Sequence, residues 1–133
     1  MIYGASYLTI LAVFLLADMA WLGAMSPRLY RPTLGDIALS SVNLPPAIAF
    51  YALYPLGLLI FAILPALKSG NINTALLNGA LFGFFTYATY DLTNQATLRN
   101  WTIQLTLIDV AWGSVLAAAA AIAGYGIAGR LGP

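Results

Sequence analysis

The chain has 133 residues, of which 62% are hydrophobic and 7% charged, and a formal net charge of +1. A soluble domain of this size carries roughly 25% charged residues, so five Lys or Arg and four acidic residues cannot cover a water-facing surface. The absence of Cys and His excludes disulfides, thiolate nucleophiles, Cys/His zinc centres, iron–sulfur clusters and a His general base.

The lipid bilayer is therefore the expected surrounding for a single domain, residues 1–133. The small net charge gives no basis for nucleic-acid binding, and no metal or cofactor is expected. The first apolar stretch runs from about Ile2 to Met25. It has no basic residues before it and is too long for a cleaved leader, so it is expected to stay as a spanning helix. Ser26-Pro27 is expected to end it. Between Ser26 and Asn43, Thr33-Leu34-Gly35-Asp36 resembles a capping box, and Leu34, Ile37 and Ala38 share a face. A short helix on the membrane surface is expected there.

The second apolar stretch runs from about Pro45 to Leu67, with Pro45-Pro46 suited to a first helical turn. Pro55 lies inside it, where it removes one backbone bond and predicts a kink near Tyr51 to Pro55. Lys68-Ser69-Gly70-Asn71 then makes a tight hairpin. The third stretch covers about 74–92 and the fourth about 102–128. Each is near the ~20 residues that span a hydrocarbon core. Backbone groups in lipid need internal partners, so helices are required. The expected fold is an all-α membrane protein, with four transmembrane helices in an antiparallel bundle.

Ala75-x-x-x-Gly79-x-x-x-Gly83 is a small-residue ladder that lets another backbone approach closely. Tight packing within one bundle is the main expectation for it, and a homodimer through the same face is the alternative. Orientation stays open, because two basic side chains beside the N-terminus (Lys68, Arg130) oppose three on the other side (Arg28, Arg31, Arg99).

With four spans, almost all the chemistry falls at the end that carries Arg28, Arg31 and Arg99. Asp18 lies seven residues before Met25 and Asp109 seven after Thr102, which at ~1.5 Å per residue puts each roughly 10 Å inside its helix. Asp91 is equally deep if the third helix runs on to about Leu98, and is an interfacial cap if that helix stops at Tyr90. A charged Asp near a membrane-helix centre costs about 2.5–3.5 kcal/mol, so these side chains need partners or a purpose.

Their neighbours are polar or aromatic. Asp18 shares a face with Phe14 and Trp21, and Asp109 with Thr102, Thr106 and Trp112. Tyr87, Asp91, Asn94 and Gln95 form one stripe. All three Trp and five Tyr (Tyr30, Tyr51, Tyr54, Tyr87, Tyr90) fall at this end, whereas an aromatic belt populates both interfaces. The candidate residues for a ligand or ion are Asp18, Trp21, Tyr51, Tyr54, Tyr87, Asp91, Asn94, Arg99, Asp109 and Trp112. Clustered carboxylates repel, so one is expected to be protonated or paired with Arg99. The bland alternative is that each carboxyl merely ties two helices together.

Several of these pieces together resemble a family. They are Asp18-x-x-Trp21, Tyr51-x-x-Tyr54-Pro55, Gly79-x-x-x-Gly83, the run Thr89-Tyr90-Asp91-Leu92-Thr93-Asn94-Gln95-Ala96-Thr97-Leu98 with Trp101, and Asp109-x-x-Trp112-Gly113. The chain is similar over essentially its whole length to a group of small bacterial membrane proteins, domain of unknown function 2177. That resemblance implies four spans in a bacterial inner membrane and carries no activity or catalytic residue with it. The likeness to small multidrug transporters is architectural, since those use a membrane Glu and this chain has none.

Three functions fit. The first is binding or transport of a small solute or cation with proton coupling, the Trp and Tyr rings holding a cationic or polyol ligand. The second is an enzyme acting on a lipid or isoprenoid, although neither a multiple-Asp motif nor a hydroxyl–base pair stands out in the sequence. The third is a structural or regulatory subunit whose polar residues set helix register.

Overall fold

The computed structural model describes residues 1–132 and is built of helices joined by short connections. Helix α1 covers Ile2–Met25 and passes directly into a wide π turn, Ser26–Tyr30. A short helix α2, Arg31–Leu34, and a 3-10 turn, Gly35–Ile37, continue the same rod. Helix α3 is Leu44–Leu58, followed by a second π turn at Leu59–Ile63 and helix α4, Leu64–Ser69. Helices α5, Ile72–Thr97, and α6, Ile103–Leu131, complete the chain.

Two expectations about proline are sharpened here. The α-helix ends at Met25, as Ser26-Pro27 predicts, but the chain stays helical beyond it in a wider turn. Pro27 sits in the opening turn of the Ser26–Tyr30 segment, where the missing N–H breaks no established bond and the wider turn accommodates the ring. Thr33 to Asp36 consequently forms no capping box, because the chain is already helical when it reaches Leu34. Pro55 lies inside α3, as expected, and the chain stays helical past it. The helix runs on to Leu58, and the wide turn follows at Leu59–Ile63. The Ala52 carbonyl, close to the proline, accepts a 2.8 Å bond from the Tyr7 hydroxyl of α1.

The connections are set by local chemistry. Gly70, at φ +67°, closes α4 in the left-handed region, and its N–H returns to the Ala66 carbonyl at 2.8 Å. Asn71 then caps α5, its side chain accepting the Asn73 N–H at 2.9 Å. Between α5 and α6, Asn100 also has positive φ, +71°. Its amide donates to the Leu34 carbonyl at 2.9 Å and to Asp36 Oδ1 at 3.2 Å. That bond fastens the α5–α6 connection to the end of the first rod. Thr102 caps α6 through the Leu105 N–H at 3.1 Å.

Three helical stretches are long and apolar enough to cross a membrane: Ile2–Ile37, Leu44–Ser69 and Ile103–Leu131. α5, the third expected span, has 26 residues but falls outside this set, because its second half carries Asp91, Asn94, Gln95 and four threonines. Those threonines are turned inward on their own helix. The hydroxyls of Thr86, Thr89, Thr93 and Thr97 donate to the carbonyls of Phe82, Phe85, Thr89 and Thr93 respectively.

The tightest packing joins α5 to α6. A Cβ on Gly83 would lie 2.3 Å from the Gly113 carbonyl oxygen, and one on Gly79 would lie 2.7 Å from the Ala121 Cβ. Only a hydrogen at those positions lets the backbones approach this closely. The Gly79/Gly83 ladder is thus occupied within the chain. α6 also packs on α1, where Ser6 Oγ donates to the Gly124 carbonyl at 2.8 Å and Ile10 covers Gly124. The buried core is Ile10, Phe14, Leu58, Ile63 and Leu116 set among alanines of α6.

Candidate functional site

Cross-chain contacts fix the register of the helices around the site. On α5 and α6, Gly79 meets Ala121, Gly83 meets Ala117 and Tyr87 meets Gly113. Further along the same pair, Thr106 Oγ1 donates to Gln95 Oε1 at 2.7 Å, and Trp101 Nε1 donates to that Thr106 hydroxyl at 3.0 Å. The progression sets Asp91 opposite Asp109. Between α5 and α3 with the wide turn that follows it, Asn78 donates to the Phe61 carbonyl at 3.1 Å, Gly57 meets Phe82, and the Tyr54 and Thr86 hydroxyls are 2.8 Å apart.

Beyond Tyr54 and Thr86 the two helices part. The first turns of α3 and the last turns of α5 instead border a cavity of about 810 Å³. Leu22, Leu34, Pro46, Ala47, Phe50, Tyr90 and Trp101 supply most of its wall, with Asp18, Tyr30, Tyr54, Thr86, Tyr87 and Asp109 as the polar or half-polar members. A volume near 300–1,000 Å³ with an apolar wall and a few convergent polar groups is the usual form of a small-molecule site.

Two hydrogen-bonded clusters hold the carboxyls in place. Asp18 on α1 accepts from the Tyr51 hydroxyl of α3 and, at 3.1 Å, from Trp112 Nε1 of α6. Asp109 on α6 accepts from the Tyr30 hydroxyl at 2.6 Å, and Tyr30 in turn accepts from Trp21 Nε1 at 2.8 Å. Hydrogen bonds to a carboxylate are among the stronger ones. The clusters are joined by the stacked rings of Trp21 and Trp112, 4.3 Å apart and within 6° of parallel; such a pair contributes roughly 0.5–1.5 kcal/mol beyond burial. Phe14 stacks on Tyr54 at 4.7 Å and joins α1 to α3.

Asp91 lies within α5, six residues before its end, so it is not an interfacial cap. Its relative exposure is 0%, against 7% for both Asp18 and Asp109. Neither of its carboxyl oxygens has a hydrogen-bond partner.

Of the ten residues singled out from sequence, Asp18, Tyr54, Tyr87 and Asp109 stand on the cavity wall. Trp21, Tyr51 and Trp112 stand behind it and support the carboxyl clusters. Asp91 is behind Asp109. Asn94 is half-buried off the wall, and Arg99 is exposed in the connection after α5. The expected pairing of a buried carboxyl with Arg99 is not made: Asp18 and Asp109 are held by Tyr and Trp, and Asp91 by neither. An aromatic donor can be buried without leaving a second charge to desolvate, which a guanidinium cannot.

The sequence reading passed over Tyr30, Phe50, Thr86 and Trp101 as site residues. For Tyr30 the cause is that the chain stays helical through Ser26–Tyr30, which sets its hydroxyl against Asp109 of α6. No local pattern in the sequence signals that contact.

The sequence profile of a family described as predicted membrane protein, domain of unknown function 2177, matches residues 3–126. The chain belongs to this family. It is a membrane protein of a family without an assigned function, as the resemblance implied. No curated protein and no solved structure is significantly similar to it.

Proposed function

We propose that this family member is a four-pass protein of the bacterial inner membrane that binds, and exchanges for protons, a small amphipathic solute with a cationic or hydroxyl-bearing head. The observation that carries this reading is the cavity of about 810 Å³, whose mostly apolar wall includes Asp18, Asp109 and Tyr30 among its few polar groups. An apolar body would be received by Leu22, Leu34 and Phe50, and a polar or cationic head by the two carboxyls and the rings around them.

Four crossings in an antiparallel bundle follow if α5 spans as well. Its inward-bonded threonines support that, since each hydroxyl carries its own acceptor into lipid. Asp91 is sealed from the surroundings, which lowers the cost of the one acidic residue on that helix.

Purified protein in lipid nanodiscs should bind tetraphenylphosphonium, a hydrophobic cation, saturably by equilibrium dialysis. Asp109→Asn should weaken that binding at least tenfold, and Ala47→Trp, which fills the cavity without touching a carboxyl, should abolish it. Equal binding by the wild type and both variants would place the cation elsewhere and sink the reading.

A second reading, an enzyme acting on a lipid or isoprenoid, is favoured by the Tyr30–Asp109 bond at the cavity wall, a hydroxyl and a base in contact. A lipid species missing from a deletion strain, and restored by the wild-type chain but not by Tyr30→Phe, would favour it over the first.

A further inference from the structure

Asp91 poses a question that the cavity does not answer. Its side chain is fully buried, is not part of that cavity's wall, and both its oxygens lack a donor. A buried polar group without a partner is destabilising, and more so when charged, so native proteins almost always supply one. The protein has no cation to offer here. Arg28, Arg31, Lys68, Arg99 and Arg130 are all exposed, and the chain contains no His.

The group that faces the Asp91 carboxyl is the carboxyl of Asp109. The register of α5 against α6 gives the same result from the backbone, with Tyr87 on Gly113 one turn to one side and Gln95 bonded to Thr106 one turn to the other. Two carboxylates have acceptors only, and no hydrogen bond can form between them. An acid and a carboxylate bond well, because one supplies the O–H that the other accepts.

We propose that Asp91 and Asp109 hold a single proton between their carboxyl groups, forming a proton site directly behind the cavity wall. The two members differ in access. Asp109 also accepts from Tyr30 and lines the cavity, whereas Asp91 touches neither the cavity nor another donor. The proton therefore enters and leaves on the Asp109 side. The pair carries one negative charge when the proton is present and two when it is absent. The other titratable groups around it are Asp18 and Tyr30 from the first rod, Tyr51 and Tyr54 from α3, and Tyr87 and Tyr90 from α5. None of these is a cation, so loss of the proton is tolerated only if a positive charge enters the cavity beside Asp109. One cation in for one proton out conserves charge.

Infrared spectroscopy of the ligand-free protein in nanodiscs near neutral pH tests this without any solute. The chain has no Glu, so an acid carbonyl band among its side chains must come from one of four Asp. The expected result is a protonated-carboxyl band from one aspartic acid that shifts with carboxyl-carbon-13 aspartate and on exchange into D2O. It should be lost in Asp91→Asn, whose amide donates to an ionised Asp109, and kept in Asp18→Asn. Absence of the band in the wild type overturns the proposal, and so does its persistence in a folded Asp91→Asn. Stabilisation of the wild type by sodium ions with no acid band would overturn it too, by assigning a metal cation to the pair. Failure of tetraphenylphosphonium to bind would leave the infrared result standing, so the two proposals fail separately.

Discussion

The α5–α6 pair is built in two ways along one interface. From Gly79 to Gly83 it meets Ala117 and Ala121 through hydrogens and methyl groups, with the backbones in contact. From Tyr87 to Gln95 it meets Gly113, Asp109 and Thr106 through rings, carboxyls and a hydroxyl-to-amide bond. The first half has nothing to titrate and no room for a ligand. The second half has the buried Asp91 and Asp109, and it borders the cavity that Asp18 of α1 also lines. Close packing at one end lets α3 and α5 diverge at the other, because the bundle is held without their mutual contact there.

Enlarging the packed half should give the biggest effect. Gly83→Leu places several carbons where even one would lie 2.3 Å from the Gly113 carbonyl oxygen. Overpacking typically costs about 1–3 kcal/mol even for modest insertions, and here the obstacle is backbone, so loss of the monodisperse folded protein in size-exclusion chromatography is expected. Gly113→Ala acts at the border of the two halves. Its Cβ would fall 2.2 Å from Tyr87 Cγ, at the root of the ring, so the whole side chain must swing away. Thermal unfolding should show a loss of about 1–3 kcal/mol, and tetraphenylphosphonium affinity should fall with it, since Tyr87 lines the cavity. Full retention of affinity would separate the two halves more sharply than the packing implies.

At the small end of the scale, Gly126→Ala adds a methyl group that meets nothing within 4 Å. It should leave stability unchanged or raise it by less than about 1 kcal/mol through helix propensity. A large loss there would show that this face of α6 is covered by something outside the chain, such as a second copy.

Much of the architecture was readable because it follows from composition and local rules. The apolar stretches, the Pro45-Pro46 entry, the Gly70-Asn71 hairpin and the small-residue ladder each need only a neighbour or two along the chain. The two π turns were not readable. A proline in a membrane helix can end it, bend it or be absorbed by a wider turn, and the choice depends on what the next helix offers. The stop at Pro27 holds for the α-helix alone, and Tyr30 enters the site through the π turn beyond it. Asp91 was placed in the correct stripe, yet its lack of any partner could not be inferred, since Arg99 stands only eight residues away and looks like a natural counterion.

The sequence alone determined that this chain is a helical membrane protein, for nine charged groups in 133 residues cannot solvate a surface. It also concentrated the acidic and aromatic residues toward one end. Only the tertiary structure decided what those residues do to one another: which carboxyl takes two donors, which takes one, and which takes none. Helix faces follow from a period of 3.6 residues, but pairing across helices follows from register. Register is set by where Gly79, Gly83 and Gly113 let the backbones meet, one to three turns away from the carboxyls it brings together.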